Sequence, residues 1–181
     1  MPKTALLVMD VQQMIVERFA EPEYIPALKD TIDAARAGGI AVVYVAVDFR
    51  SGYPEISPRN KMFAAIPGRA PAERPENGIH PGIAPEELDP VVIKRRVSAF
   101  SGSDLDLMLR AMEVDHLVLC GIATSGVVLS TLRQAADLDY RITVLSDRCL
   151  DPDPLVHDVL LTRVFPMQAE VMTAADWEKT A

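Results

Sequence analysis

Hydrophobic runs of strand length alternate with stretches whose apolar residues recur every three to four positions, and this alternation repeats along most of the chain. Ala5–Met9, Ile40–Val47, Pro90–Lys94, His116–Cys120 and Arg141–Ser146 are short and mostly apolar. Such runs suit strands buried on both faces of a parallel sheet. Ala169–Met172 adds a last β-prone piece. Ile25, Leu28, Ile32 and Ala35 mark one face of a helix that Gly38-Gly39 closes. Leu105, Leu109 and Met112 mark another behind a Ser103 cap, and Val128, Leu132, Ala135 and Ala136 a third. Asp153-Pro154 opens a further helix with proline at its first position, where the missing N–H costs little. Asp10 and Gln13 have capping-box spacing, which predicts a helix directly after the first strand. Strands separated by such helices predict an α/β protein: three α/β/α layers around a mainly parallel sheet.

Phe49–Asp89 breaks the alternation. It holds many of the prolines and predicts at most a short helix near Arg59–Ile66. Loops this long are uncommon in compact domains unless they are functional or disordered, so ordered loops covering a site are expected. Nothing resembling a repeat or linker divides the sequence, and residues 1–181 are expected to form one domain.

Composition adds exclusions. Hydrophobic residues make up 49% and charged residues 24%, as in soluble globular proteins. The net charge of −8 argues against nucleic acid or an anionic membrane as partner. No apolar run approaches the ~20 residues of a membrane span. The opening Met-Pro-Lys-Thr-Ala-Leu-Leu lacks a signal-peptide layout. Cys120 and Cys149 each follow an apolar run, which predicts buried free thiols rather than a disulfide. A cytoplasmic homo-oligomer with a small-molecule substrate or ligand is expected.

In a sheet of this kind, ligands collect outside the carboxyl ends of the strands. Three polar features fall there: Asp10, Lys94 and the turn 121–127. Each has a plain alternative. Asp10 suits a helix cap, and Lys94 opens a Lys-Arg-Arg run that suits a solvated edge. Gly121 breaks its strand, and Thr124 or Ser125 can cap the helix that follows. The unpaired N–H groups at such a joint favour an anion or a developing oxyanion. All three features converge on one sheet edge, which predicts a shared pocket.

These residues carry a resemblance. Leu6-Leu7-Val8-Met9-Asp10-Val11-Gln12 resembles the opening strand, with its catalytic aspartate, of the isochorismatase-like hydrolases, which include nicotinamidases and N-carbamoylsarcosine amidases. Val92-Ile93-Lys94-Arg95-Arg96-Val97-Ser98-Ala99-Phe100 resembles the segment bearing the catalytic lysine. Gly121-Ile122-Ala123-Thr124 resembles the turn before the nucleophile, and Thr131 sits where the family pattern has a threonine. The resemblance implies the isochorismatase-like fold over nearly the whole chain. It implies catalytic roles for Asp10 and Lys94, and an oxyanion site at the backbone N–H groups of Ala123 and Val127. Gln12, Phe100 and Thr124 are expected beside the substrate, and the Ile122–Ala123 peptide is expected to be cis.

One departure stands out. Amidases of the family place a cysteine three residues after that threonine, but here Thr124, Ser125 and Gly126 lead to Val127. Without a thiol there, the thioester route is closed. The sequence then resembles the isochorismatases proper, which cleave a vinyl ether by acid catalysis and hydration. Nicotinamidases place a metal-binding histidine where Asp48-Phe49-Arg50 puts arginine. His80, His116 and His157 show no ligand spacing, so neither metal nor cofactor is expected. Arg50 is expected to meet an anionic group of the substrate by a forked hydrogen bond.

Two readings follow. In one, the protein is a hydrolase of a small carboxylated molecule working through Asp10 and Lys94. In the other, it is a catalytically silent binding or scaffold protein. Retention of the Asp10–Lys94 pair favours the hydrolase.

Overall fold

The computed structural model describes residues 3–69 and 78–180. Six strands form one sheet in the order β3-β2-β1-β4-β5-β6, and every neighbouring pair is parallel. They are β1 Lys3–Met9, β2 Ala41–Val47, β3 Val91–Lys94, β4 Val114–Ile122, β5 Arg141–Leu150 and β6 Glu170–Met172. Helices α1 Gln13–Phe19, α2 Tyr24–Ala37 and α7 Ala174–Glu178 lie on one side of the chain's sheet. Helices α4 Leu105–Ala111 and α5 Leu129–Asp137 cover the other. Alternate residues of β1 feed the two cores: Ala5, Leu7 and Met9 join Leu109, Leu132 and Phe165, whereas Leu6 and Val8 join Leu28, Ile32 and Trp177. That is why both parities of the strand are apolar. The predicted three-layer α/β/α fold is the observed one.

Differences lie at element ends, where local patterns compete with distant partners. Gly121 does not end its strand; β4 continues to Ile122 through a register shift between Leu119 and Gly121. Asp10 caps nothing. Gln12 occupies the N-cap position of α1 without a side-chain cap bond. Thr124 and Ser125 do not cap either: a π-type turn over Thr124–Val128 starts from Ala123 and leads into α5. Asp104 rather than Ser103 takes the N-cap position of α4, and Ser103, one residue ahead of it, accepts the Leu105 N–H at 3.4 Å. Asp153 accepts the N–H groups of Leu155 and Val156 and so caps α6 Pro154–Val159. The helix expected near Arg59–Ile66 is instead a run of turns ending in the single helical turn α3 Ile66–Arg69. The loop expected to cover the site includes residues 70–77, which lie outside the described residues. No described helix is long and apolar enough to cross a membrane.

The strand order reverses beside β1: β2 lies on one side of it and β4 on the other. Loops leaving β1 and β4 therefore diverge to opposite faces and open a crevice at their carboxyl ends.

Candidate active site

Asp10 follows the last residue of β1 and stands at that crevice. Its φ of 55° is left-handed, a conformation that aspartate tolerates better than most residues. Its N–H donates to the Val45 carbonyl at 2.8 Å, extending the β1–β2 ladder by one bond. Beside it, Gln12 is buried, and its amide brackets the end of β2 by accepting the Val47 N–H at 2.9 Å and donating to the Val47 carbonyl at 3.3 Å. The loop after β1 is thereby held at both its first and its third residue.

Lys94, the last residue of β3, lies two strands away. Strands sit about 4.8 Å apart, so its long side chain must pass over the end of β2 to reach Asp10. It does, with Nζ 2.9 Å from Asp10 Oδ2, and the two side chains are only 2% and 9% exposed. Nζ also donates to the Arg96 carbonyl at 3.0 Å. The other carboxylate oxygen, Asp10 Oδ1, is buried and has no hydrogen-bond partner among the described residues. Burial raises the Asp10 pKa more than Lys94 lowers it, and the balance stands at about 6.

On the far side of the crevice, Gly121 is registered against Met9. The Ile122–Ala123 peptide is cis, as expected. The Ala123 carbonyl accepts the N–H groups of Gly126 at 3.0 Å and Val128 at 3.2 Å, which closes the turn. The Ser125 N–H donates to Asp151 at 2.7 Å. Val127 is buried within the apolar core. Thr124 is also buried, and its hydroxyl lies 2.8 Å from His157 Nδ1 on α6. That histidine had no place in the sequence expectations beyond its lack of metal-ligand spacing. Its partner is 33 residues away in sequence, and no local motif announces the contact.

The remaining candidates are Phe100 and Arg50. Phe100 is in the core, its ring 6.0 Å from that of Tyr140. The segment carrying it is tied to α5, where Thr131 accepts the Ala99 N–H at 3.0 Å. Arg50 is exposed and pairs with Glu55 at 2.6 Å, in a groove that also includes Arg95 and Arg96. Both cysteines are free and buried. Burial pushes the Cys120 thiol well up and the Cys149 thiol to about 12. Among the described residues, no group of three or more histidine, cysteine, aspartate or glutamate side chains is placed to hold a metal ion.

A family model described as the isochorismatase domain matches residues 4–176. The chain belongs to the isochorismatase family. It is 33% identical over 176 residues to YwoC of Bacillus subtilis, named an uncharacterized isochorismatase family protein, with 97% of this chain and 92% of YwoC covered. It is 33% identical over 170 residues to the ureidoacrylate amidohydrolase RutB of Azorhizobium caulinodans, covering 86% of this chain and 75% of that one. Among solved structures, N-carbamoylsarcosine amidase of Thermoplasma acidophilum superimposes with a TM-score of 0.75 at 30% identity, covering 95% of this chain and 96% of the amidase. The isochorismatase fold thus extends over nearly all of the chain.

Proposed function

We propose that this protein is a hydrolase of small carboxylated amides or ureides that uses Asp10, held by Lys94, to move the proton, and that no cysteine acts as nucleophile. The observation that carries the reading is the buried Asp10–Lys94 pair at the crevice, with one carboxylate oxygen unpartnered among the described residues. An acid with a pKa near 6 is mostly ionised at neutral pH yet basic enough to accept a proton. The substrate class is carried by the relatives, which are named for ureidoacrylate and N-carbamoylsarcosine. Both compounds join a carbamoylated nitrogen to a carboxylate.

In the proposed reaction, the Asp10 carboxylate takes a proton from water as the water oxygen bonds to the substrate carbonyl carbon. The carbonyl electron pair moves to oxygen, and the backbone N–H groups of Ala123 and Val127 hold that oxyanion. Collapse breaks the carbon–nitrogen bond, and protonated Asp10 returns its proton to the leaving nitrogen. Lys94 keeps the carboxylate oriented throughout. A route without a thiol is supported by the valine at position 127 and by the burial of Cys120 and Cys149.

The test is a screen of ureido acids, small amides and isochorismate against the purified protein, with Asp10→Ala as the blank. Turnover of a ureido acid or amide that is lost in Asp10→Ala supports the reading. Turnover of isochorismate alone replaces the substrate class, and turnover equal in both proteins removes Asp10 from the mechanism.

Two further outcomes are expected with any substrate found. Because the ionised form of Asp10 is the active one, kcat/KM rises about tenfold per pH unit up to roughly 6 and is flat above it. A profile that falls above 6 would make Asp10 the acid instead. Iodoacetamide leaves activity intact, since a buried thiol with a raised pKa offers little thiolate. Inactivation that tracks alkylation of Cys149 or Cys120 would return a thiol to the mechanism.

A further inference from the structure

Beside β3, the outermost strand on its side of the sheet among the described residues, lies an open groove of about 910 Å³, whose walls include neither Asp10 nor Lys94. Its polar lining is Arg50, Arg95, Arg96, Glu55, Ser103 and Asp104. Three arginines face two carboxylates, a local positive excess on a chain whose net charge is −8. Their arrangement is centred on one residue. Glu55 accepts from Arg50 Nη1 at 2.6 Å and from the Arg50 backbone N–H at 3.3 Å, and lies 3.4 Å from Arg95 Nε. Arg96 Nη2 donates to the Glu55 carbonyl at 3.0 Å. Only 13% of the Glu55 side chain is exposed, although the groove around it is open.

A loop staple needs one arginine. Each guanidinium brings five N–H donors, and among the described residues these reach Glu55 and the Asp48 and Arg95 carbonyls. The volume is that of a small-molecule site rather than a gap between side chains. Glu55 sits on successive turns, closed by the Tyr53 N–H to the Arg50 carbonyl and the Ile56 N–H to the Tyr53 carbonyl. Its withdrawal would therefore break no helix or sheet ladder.

We infer that this groove binds a small carboxylate-bearing molecule on Arg50, Arg95 and Arg96, and that Glu55 is the internal carboxylate the ligand displaces. A guanidinium fork suits a planar carboxylate, and the Glu55 carboxylate already sits against Arg50 and Arg95, with Arg96 held by the Glu55 backbone carbonyl. Arg50, expected to meet an anionic group of the substrate, pairs with Glu55 in a groove whose lining lacks Asp10 and Lys94. The inference is independent of the hydrolase reading, because binding here needs no turnover at Asp10.

Calorimetric titration of succinate into the full chain at constant ionic strength tests it. Succinate binds the wild type, and Glu55→Gln, which removes the internal competitor, tightens it by about tenfold. Adding Arg50→Gln or Arg95→Gln to Glu55→Gln abolishes the gain, with circular dichroism confirming the fold of each variant. The mostly exposed Arg50 also provides a test in the otherwise native chain, where Arg50→Gln lowers succinate affinity even if Glu55→Gln fails to fold. Equal affinities across the variants, or the same heat from potassium chloride, would overturn the site. Inorganic phosphate binding more tightly than succinate would overturn the carboxylate assignment.

Discussion

Gly121→Ala is expected to destabilise the protein by more than about 4 kcal/mol, beyond the range of ordinary single substitutions. A Cβ at this position would lie 2.0 Å from the Met9 carbonyl oxygen and 2.8 Å from its carbonyl carbon. The obstruction is backbone, so no side chain can rotate out of its way. Relief requires β1 and β4, the two central strands, to separate where they are registered. Gly121 also has φ of +136°, where any residue with a Cβ is strained. Overpacking a core commonly costs about 1–3 kcal/mol because neighbours can yield. Here the neighbour is the strand that carries Asp10, so the loss should include the site's geometry. Denaturant unfolding of Gly121→Ala checks this, and a midpoint within about 1 kcal/mol of wild type would show that the two strands can part cheaply.

The same glycine marks where local sequence reading stops. Gly121 looked like a strand breaker, yet it serves as the point of closest approach between two strands, a requirement set by Met9. Asp10 with Gln13 matched a capping box, but its carboxylate is drawn to Lys94, which no local pattern includes. The Lys-Arg-Arg run was divided by tertiary structure: Lys94 is buried while its two neighbours line an open groove. Features with one dominant cause were legible. The β1 run is apolar because both of its faces are covered, and Leu28, Ile32 and Ala35 repeat because one face of α2 meets the sheet. The short α7 was missed, since the five residues Ala174–Glu178 are too few for periodicity and only Thr173, accepting the Asp176 N–H, announces it. Thr124 with His157, and Glu55 with Arg95 and Arg96, are meetings of separate segments and could be found only in three dimensions.

Lys94→Met is expected to destabilise the protein at pH 7, with about 3–5 kcal/mol, the cost of breaking a buried pair, as the upper bound, because Asp10 must then stay buried as an unpaired carboxylate or take up a proton. The loss should depend on pH in a definite sense. In the wild type, burial raises the Asp10 pKa from 3.8 to about 6 against the opposing pull of Lys94. The folded state therefore binds this proton more tightly than the unfolded chain does. The stability that the bound proton contributes is fully present below about 4 and is lost as pH rises through about 6. Removing Lys94 removes the main force that lowers the pKa, so the protonated form persists to higher pH. At pH 5 the variant can neutralise Asp10 by protonation, and much of its deficit should disappear. At pH 7 the deficit should be larger, because wild-type Asp10 has given up its proton and the variant must keep it or bury an unpaired charge. Urea unfolding of both proteins at pH 5 and pH 7 separates the cases. A deficit equal at the two pH values would mean that Lys94 contributes packing alone and that Asp10 is not held as a carboxylate. The same substitution should lower turnover at neutral pH under the proposed mechanism, since a raised pKa leaves less of Asp10 in the ionised form that accepts the proton from water. Activity lost with the pH-dependent deficit present would place the failure at Asp10, whereas activity retained with that deficit would mean that the pair stabilises the fold without serving the reaction.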